Sequence, residues 1–350
     1  MEYRTLGASG LKVSRFAIGT LTAGHDPAFA AVAGLGADDY RRLFDIAFDA
    51  GVNLVDTANM YSSGEAEEIT ARALAGRRDD VVLTSKVRMP LGDGPNDGGA
   101  SRFHILREVE NSLRRLRTDH LDLLYLHQWD GVTPIEETLS ALDTLVRDGK
   151  VRYVGTSNYS AWQLTKTVLR ARELGLTAPV VQQMYYTPEA REIEYEILPA
   201  ALDLGIGTFV WSPLGEGLLT GKVRRGRETP PDTRQGTDWP EPHVVDWERA
   251  YRIIDKLSDI ADAHGVSIPR VVLSWLLRRP GVTGIVLGAR SEAHLRDDLA
   301  ALDLDLGPAH TAELTDISAL PAYYPFWHRA LNATDRPDPA ERPFLNGFTR

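Results

Sequence analysis

Eight times along the chain, a short apolar run rich in β-branched residues is followed by a polar residue and then by a segment of helical period. The runs are Phe16–Gly19, Asn53–Asp56, Val81–Lys86, Leu121–His127, Val151–Ser157, Val180–Met184, Gly207–Trp211 and Thr283–Gly288. Continuous apolar runs of this length suit strands buried on both faces. The segments between them carry helix punctuation. Thr133-Pro134-Ile135-Glu136 places a cap at Thr133 with proline at the first helical position, and Ser160-Ala161-Trp162-Gln163 repeats the capping box. Gly51, Gly149, Gly175 and Gly205 stand where a left-handed helix end precedes the next strand. Eight strand–helix alternations predict a closed parallel (β/α)8 TIM barrel, one domain over residues 1–350. An open doubly wound sheet is the competitor. It would carry Gly-x-Gly-x-x-Gly after the first strand, and none stands there.

Three segments interrupt the alternation. Residues 1–15 read as an N-terminal hairpin, residues 91–101 as a Gly-rich flexible loop, and residues 215–245 as a long loop after strand seven. The tail, residues 301–350, carries Tyr323, Tyr324, Phe326 and Trp327, too aromatic for a disordered end, and is predicted to fold over the barrel mouth.

Composition narrows the function classes. The formal net charge is −10, without the clustered Lys and Arg of a nucleic-acid or anionic-membrane partner. There is no cysteine, so disulfides, thiolate metal sites and thiol nucleophiles are excluded. The nine histidines show no paired ligand spacing, and no metal is expected. The N-terminus lacks a signal-peptide core, and no apolar run approaches the roughly 18 residues of a membrane span. A soluble cytoplasmic protein is expected. It is a monomer by default, since no heptad or apolar stripe shows, and a homo-oligomer is compatible.

In a barrel, the residues that end the strands converge on one rim. Here they are Asp56 with Tyr61 five residues on, Lys86, His127, Ser157-Asn158, Gln182, Trp211-Ser212-Pro213 and Gly288-Ala289-Arg290. Each alone has an ordinary explanation, such as a capping Asp, a solvated Lys, a packed Tyr or a core His. Together Asp, Tyr, Lys and His make coherent chemistry. Tyr titrates near 10, too high for ready proton transfer at neutral pH, and a neighbouring Lys ammonium stabilises phenolate. Asp56 is placed to hold Lys86 charged, and His127 to orient a carbonyl oxygen. This set polarises a C=O and delivers a proton, but it supplies no hydride, so a cofactor must.

With these residues in view, the chain resembles the aldo-keto reductase family over nearly its whole length. The resemblance rests on Asp56-Thr57-Ala58-Asn59-Met60-Tyr61, Thr84-Ser85-Lys86, Leu126-His127 and Gly149-Lys150-Val151-Arg152. It continues through Gly155-Thr156-Ser157-Asn158, Trp211-Ser212-Pro213-Leu214 and Gly217-Leu218-Leu219-Thr220-Gly221-Lys222. It implies an NADP(H)-dependent oxidoreductase reducing an aldehyde or ketone. Tyr61 would be general acid for reduction and base for oxidation, Asp56 and Lys86 its tuning partners, and His127 the carbonyl-orienting residue. Ser157, Asn158 and Gln182 would bond the nicotinamide carboxamide, and Trp211 would stack on the ring. Ser212, Leu214, Gly217 and Lys222 would hold the pyrophosphate, with Gly288, Arg290, His294, Asp297 and Asp298 at the adenosine end. The last group departs from the family, whose members often have Gln or Arg at His294 and Glu-Asn at Asp297-Asp298. Arg290 suits a 2′-phosphate, which favours NADPH over NADH, while the two acids oppose it unless one points away.

Trp129, Trp239, Tyr323, Tyr324 and Trp327 are the candidate substrate contacts. They favour a flat or ring-shaped carbonyl, with an aromatic aldehyde, a keto-sugar and a polyketide ketone all open. Two rivals remain. An aldolase-type barrel would use Lys86 as a Schiff-base nucleophile, leaving Tyr61 and Trp211 idle. The resemblance also admits a nucleotide-binding regulatory subunit of a membrane channel with little turnover.

Overall fold

The computed structural model describes residues 1–231, 233–237, 239–240, 242–333 and 335–345. Strands β1 (Tyr3–Thr5) and β2 (Lys12–Ser14) form an antiparallel hairpin. Then follow β3 (Phe16–Gly19), α1 (Ala37–Asp49), β4 (Leu54–Asp56), α2 (Glu65–Ala73), β5 (Val82–Val87) and α3 (Arg102–Leu116). The second quarter-turns of the barrel are β6 (Leu121–Leu126), α4 (Ile135–Arg147), β7 (Val151–Ser157), α5 (Ala161–Leu174), β8 (Val181–Tyr185) and α6 (Ile197–Leu204). Strand β9 (Gly207–Trp211) is followed by two helices, α7 (Trp247–His264) and α8 (Ile268–Leu277), before β10 (Val282–Leu287) and α9 (Glu292–Leu299). The tail holds α10 (Gly307–Ile317), α11 (Phe326–Asn332) and α12 (Arg342–Leu345).

Strands β3 to β10 pair in parallel in sequence order, and β10 closes on β3. Every strand predicted from the apolar runs is present, with ends shifted by at most one residue. Gly51, Gly149, Gly175 and Gly205 all take positive φ at helix ends. Gln163 Oε1 accepts the Ser160 N–H at 2.8 Å, the expected box at the start of α5. The cap at Thr133 is not formed: α4 starts one residue later, with Pro134 as N-cap. Thr133 is drawn off by Asp130, whose carboxylate accepts its hydroxyl at 2.7 Å and the Ala100 and Val132 N–H groups at 2.7 and 2.9 Å. Burial works against that charge, yet these hydrogen bonds outweigh it and hold the carboxyl down at about 2.

The core has two parts. Side chains alternate along each strand. The inward set includes Ala17, Leu54, Leu123, Tyr125, Val181, Phe209 and Val286, and Leu6 and Val13 of the hairpin join it from below. The outward set packs on the helices with Phe44, Leu142, Val168 and Trp275. Each such side chain contributes about 1.5–3 kcal/mol when fully buried. Gly7 lets the hairpin lie against the starts of β8 and β9: at φ 54 a Cβ there would come within 2.2 Å of the Val180 carbonyl. Inside the barrel, Gly155 leaves room for the Tyr125 ring, which a Cβ would meet at 2.7 Å.

The tail departs from expectation. Its described residues do not line the mouth cavity but run down the outer flank beside α5 and α6. Phe326 stacks on Tyr195 with centroids 5.1 Å apart, and a surface groove there is walled by Trp162, Leu169, Pro199, Phe326 and Arg329. Its anchor explains the route. Arg191, buried and paired with Glu194 at 2.9 Å, donates to the Thr315 carbonyl at 2.6 Å and the Ser318 hydroxyl at 2.9 Å. That places the end of α10 outside the helix layer, and the chain continues from there.

Candidate active site

A cavity of about 850 Å³ opens at the strand ends. Asp56, the last residue of β4, is a buried acid on its wall. Its Oδ2 accepts from Lys86 Nζ at 2.5 Å, and its Oδ1 accepts from the Thr84 hydroxyl at 2.7 Å and the Gln183 amide at 3.0 Å. Lys86 also donates to the Thr57 carbonyl at 3.0 Å and to Tyr61 Oη at 3.1 Å. Burial works against the Lys86 charge, but Asp56 and Tyr61 outweigh it and hold the ammonium above the usual lysine range.

Tyr61 reaches this point because its loop is stitched to β5. Thr57 N–H bonds the Thr84 carbonyl at 3.2 Å, and Asn59 N–H bonds the Lys86 carbonyl at 3.3 Å. Ser62 and Ser63, at φ 45 and 53, then turn the chain into α2. The His127 ring meets Tyr61 edge to face, with centroids 6.0 Å apart. Burial first, and then the Lys86 and Arg88 charges, push His127 well below the usual histidine range, so the ring is neutral at physiological pH. Among the described residues its buried Nδ1 has no hydrogen-bond partner. A neutral ring and a phenol beside a fixed ammonium can hold one carbonyl oxygen and pass it a proton.

Beyond this cluster the cavity runs past Asn158 and Trp211. Trp211 Nε1 donates to Asn158 Oδ1 at 3.0 Å, and Asn158 Nδ2 donates to the His127 carbonyl at 3.1 Å. Ser157 Oγ donates to the Gln183 carbonyl at 2.9 Å. Gln182, expected here, is elsewhere: its amide donates to the Thr208 hydroxyl at 3.1 Å, on the helix side of the sheet. Strand alternation decides this, since Val181 is in the barrel interior and two positions on brings Gln183 to the cavity.

The turn after β9 continues the wall with Ser212, Leu214, Gly217 and Lys222. Ser212 and Glu216 hold positive φ of 44 and 54, and Gly217 takes φ 100, a conformation side chains rarely adopt. Glu216 accepts the Ser212 hydroxyl and pairs with Arg234, and Gln235 donates to the Glu216 carbonyl at 2.9 Å. The long loop is thereby laid along the cavity rim.

A family model of the aldo/keto reductases matches residues 16–319. An uncharacterized oxidoreductase, YrpG, of Bacillus subtilis is 37% identical over 331 residues, covering 91% of this chain and 96% of its own length. Two plant proteins named probable voltage-gated potassium channel subunit beta match as well. The one from Arabidopsis thaliana is 37% identical over 87% of this chain and 92% of its own, and the one from rice 36% over 90% and 95%. The chain belongs to the aldo/keto reductase family.

Members of this family use nicotinamide cofactors, and the oxidoreductase relative supports carbonyl oxidoreduction. In this aldo/keto reductase the cavity has the features such a dinucleotide needs. Its lining includes the Trp211 indole and, together, Gly288, Arg290, His294 and Lys222. Arg290 donates to the Ala31 carbonyl at 2.5 Å and keeps further N–H donors. The two acids beside them are subdued. Asp297 pairs with Arg270 at 2.7 Å and accepts the Ser267 hydroxyl. Asp298 is pushed up to about 7 by burial first and by Asp297 second.

The expected substrate contacts divide. Trp239, from the long loop, lines the cavity. Trp129 turns away into a cluster with Tyr159 and Trp162, at centroid distances of 5.2 and 5.5 Å. Tyr323, Tyr324 and Trp327 sit with the tail on the outer flank and do not reach it. Phe29, Met60, Met89, Gln128 and Pro240 line it instead. Met60, Gln128 and Met89 lie within three residues of Tyr61, His127 and Lys86, so rim proximity alone would have flagged them. Nothing local in sequence marks Phe29.

Among the described residues no helix is long and apolar enough to cross a membrane.

Proposed function

We propose that this chain is an NADPH-dependent carbonyl reductase in which Tyr61 is the proton donor. One observation carries the reading: Lys86 Nζ bridges Asp56 and the Tyr61 oxygen with neutral His127 beside them, and Asp56, Tyr61 and His127 line one cavity. A bound nicotinamide dinucleotide supplies the hydride that none of these side chains can provide.

The chain's own residues do the rest. Lys86 sets a positive charge against the Tyr61 oxygen that gives up its proton, and Asp56 keeps that charge in place. His127, uncharged, orients the carbonyl oxygen by a hydrogen bond. In the reverse direction the same Tyr61 oxygen takes the alcohol proton. Ser157, Asn158 and Gln183 would hold the carboxamide, Trp211 the ring face, Ser212, Leu214, Gly217 and Lys222 the pyrophosphate, and Gly288, Arg290, His294 and Asp298 the adenosine end. The cations Arg290 and Lys222, with Asp297 neutralised by Arg270, favour a 2′-phosphate. The walls of Phe29, Met60, Met89 and Trp239 exclude water and favour a ring-bearing aldehyde or ketone.

The test mixes protein with NADPH and follows cofactor fluorescence, then adds a panel of aromatic aldehydes, keto-sugars and polyketide ketones and follows absorbance loss. Turnover with a kcat/KM preference for NADPH supports the reading, and a preference for NADH sinks the cofactor assignment. A second reading comes from the plant relatives: a nucleotide-binding channel subunit. It expects tight NADPH binding with very slow reduction across the panel.

A further inference from the structure

A buried ion cluster lies between α2, α3 and β5, and the proposed chemistry makes no use of it. Its centre is Arg115, on α3. Arg115 Nε donates to Glu67 Oε2 of α2 at 2.6 Å, and Nη2 donates to the Ser112 hydroxyl at 3.3 Å and lies 3.7 Å from Glu108 Oε2. The Glu67 side chain is fully buried and that of Glu108 is 5% exposed. Desolvation offsets much of the attraction in such a cluster, so net stability is a poor reason for it.

The cluster reaches the Lys86–Tyr61 pair by three routes. Glu67 Oε1 accepts the hydroxyl of Ser85 at 2.5 Å, and Ser85 directly precedes Lys86 on β5. Glu108 Oε2 accepts from Asn59 Nδ2 at 3.5 Å, and Asn59 stands two residues before Tyr61 with its own N–H on the Lys86 carbonyl at 3.3 Å. The stem of Arg115 backs Gly64, where the Tyr61 turn enters α2: at φ 96, a Cβ there would meet Arg115 Cδ at 2.9 Å. Both sides of the 3.1 Å contact between Lys86 Nζ and Tyr61 Oη are thereby tied to one guanidinium.

We propose that Arg115 is a positioning residue for the reaction, holding the Tyr61 turn and the Lys86 strand in the register that keeps the ammonium against the phenol oxygen. It lies outside the cavity lining and acts through Glu67 and Glu108. This rests on the reading of Tyr61 as proton donor and deepens it.

Loss of that register has its own signature. The ammonium stabilises phenolate and so lowers the pH at which Tyr61 gives up its proton. Asp56, His127 and Tyr40 also act on this pair, and among the described residues Arg115 pairs with none of them. A loosened Lys86 lets Tyr61 keep its proton to higher pH. A smaller folded fraction lowers the rate but leaves the pH profile in place.

The experiment follows single-turnover reduction of 4-nitrobenzaldehyde, or of the panel carbonyl with the highest kcat/KM, by the NADPH-loaded full chain from pH 6 to pH 10. Arg115→Met should slow the reaction about tenfold or more at pH 7 and leave Kd for NADPH within about twofold. The fall of the rate at high pH should move upward by about half a pH unit or more. Asn59→Ala cuts one route and spares the ion cluster, so it decides the matter where Arg115→Met fails to fold, and it should move the fall in the same direction. A profile that stays in place in the folded variants, whether or not the rate drops, overturns the inference and leaves Tyr61 as proton donor. A loss confined to Kd for NADPH does the same. A wild-type chain that reduces no carbonyl of the panel overturns both.

Discussion

Asp56 and Asp298 are both buried aspartates on the wall of one cavity, 2% and 5% exposed. Asp56 receives three hydrogen bonds, one of them from an ammonium. Asp298 receives none from a side chain among the described residues, and burial moves it up to about 7. Burial alone therefore does not set a carboxyl's state; the donors that the fold brings to it do. At one end of the cavity strand pairing delivers Thr84, Lys86 and Gln183 to a fixed point. At the other, the Arg270 guanidinium is paired with Asp297 instead.

Tyr61→Phe breaks the well-donated end most severely. It removes the transferable proton but leaves the ring, so carbonyl reduction should fall by about 10²–10⁴-fold with Kd for NADPH within about twofold. Steady-state kinetics with a fluorescence titration checks this, and near-wild-type kcat removes Tyr61 from the proton-donor role.

Asp56→Asn leaves the Lys86 ammonium buried without its counter-charge. Stability should drop by about 3–5 kcal/mol in urea unfolding, alongside a loss of kcat. Unchanged stability would mean that Asp56 is not what holds the ammonium.

Asp298→Asn should do the opposite. The folded carboxyl sits at about 7, against 3.8 as the ordinary value, so the folded state keeps a proton that the unfolded chain releases in between. Wild-type stability therefore falls as pH rises from about 4 to 7, and the variant lacks that loss. Its advantage in urea unfolding should be small near pH 4 and reach on the order of 1–3 kcal/mol by pH 8. A variant less stable than wild type at pH 8 would show that the carboxyl has a stabilising partner.

The mildest pair concerns the substrate end. Trp239→Ala should raise KM for a ring-bearing ketone several-fold, while Trp327→Ala, on the outer flank, should leave it within about twofold. Equal effects would return the tail to the mouth.

The contrast also explains what the sequence made legible. Asp56, Lys86 and His127 were visible because each ends or directly follows an apolar run, and parallel strand ends meet by construction. The run does not tell Gln183 from Gln182, because adjacent glutamines differ only in strand phase, and which of them faces the cavity is set by which neighbour enters the barrel. Trp129 and the tail were misplaced for another reason. Their positions depend on distant partners, Tyr159 with Trp162 in one case and Arg191 in the other, and no local pattern encodes those contacts. The state of Asp298 is not legible in sequence because it follows from burial and from the neighbouring Asp297, whose own partner Arg270 lies in another helix.

The hairpin beneath the barrel has a consequence for traffic. Leu6 and Val13 cap a packed interior, so the cavity at the strand ends is a blind alley. Whatever lies against Trp211 and Gln183 therefore enters and leaves by the strand-end face, a restriction imposed by the hairpin Tyr3–Ser14 at the far end of the molecule.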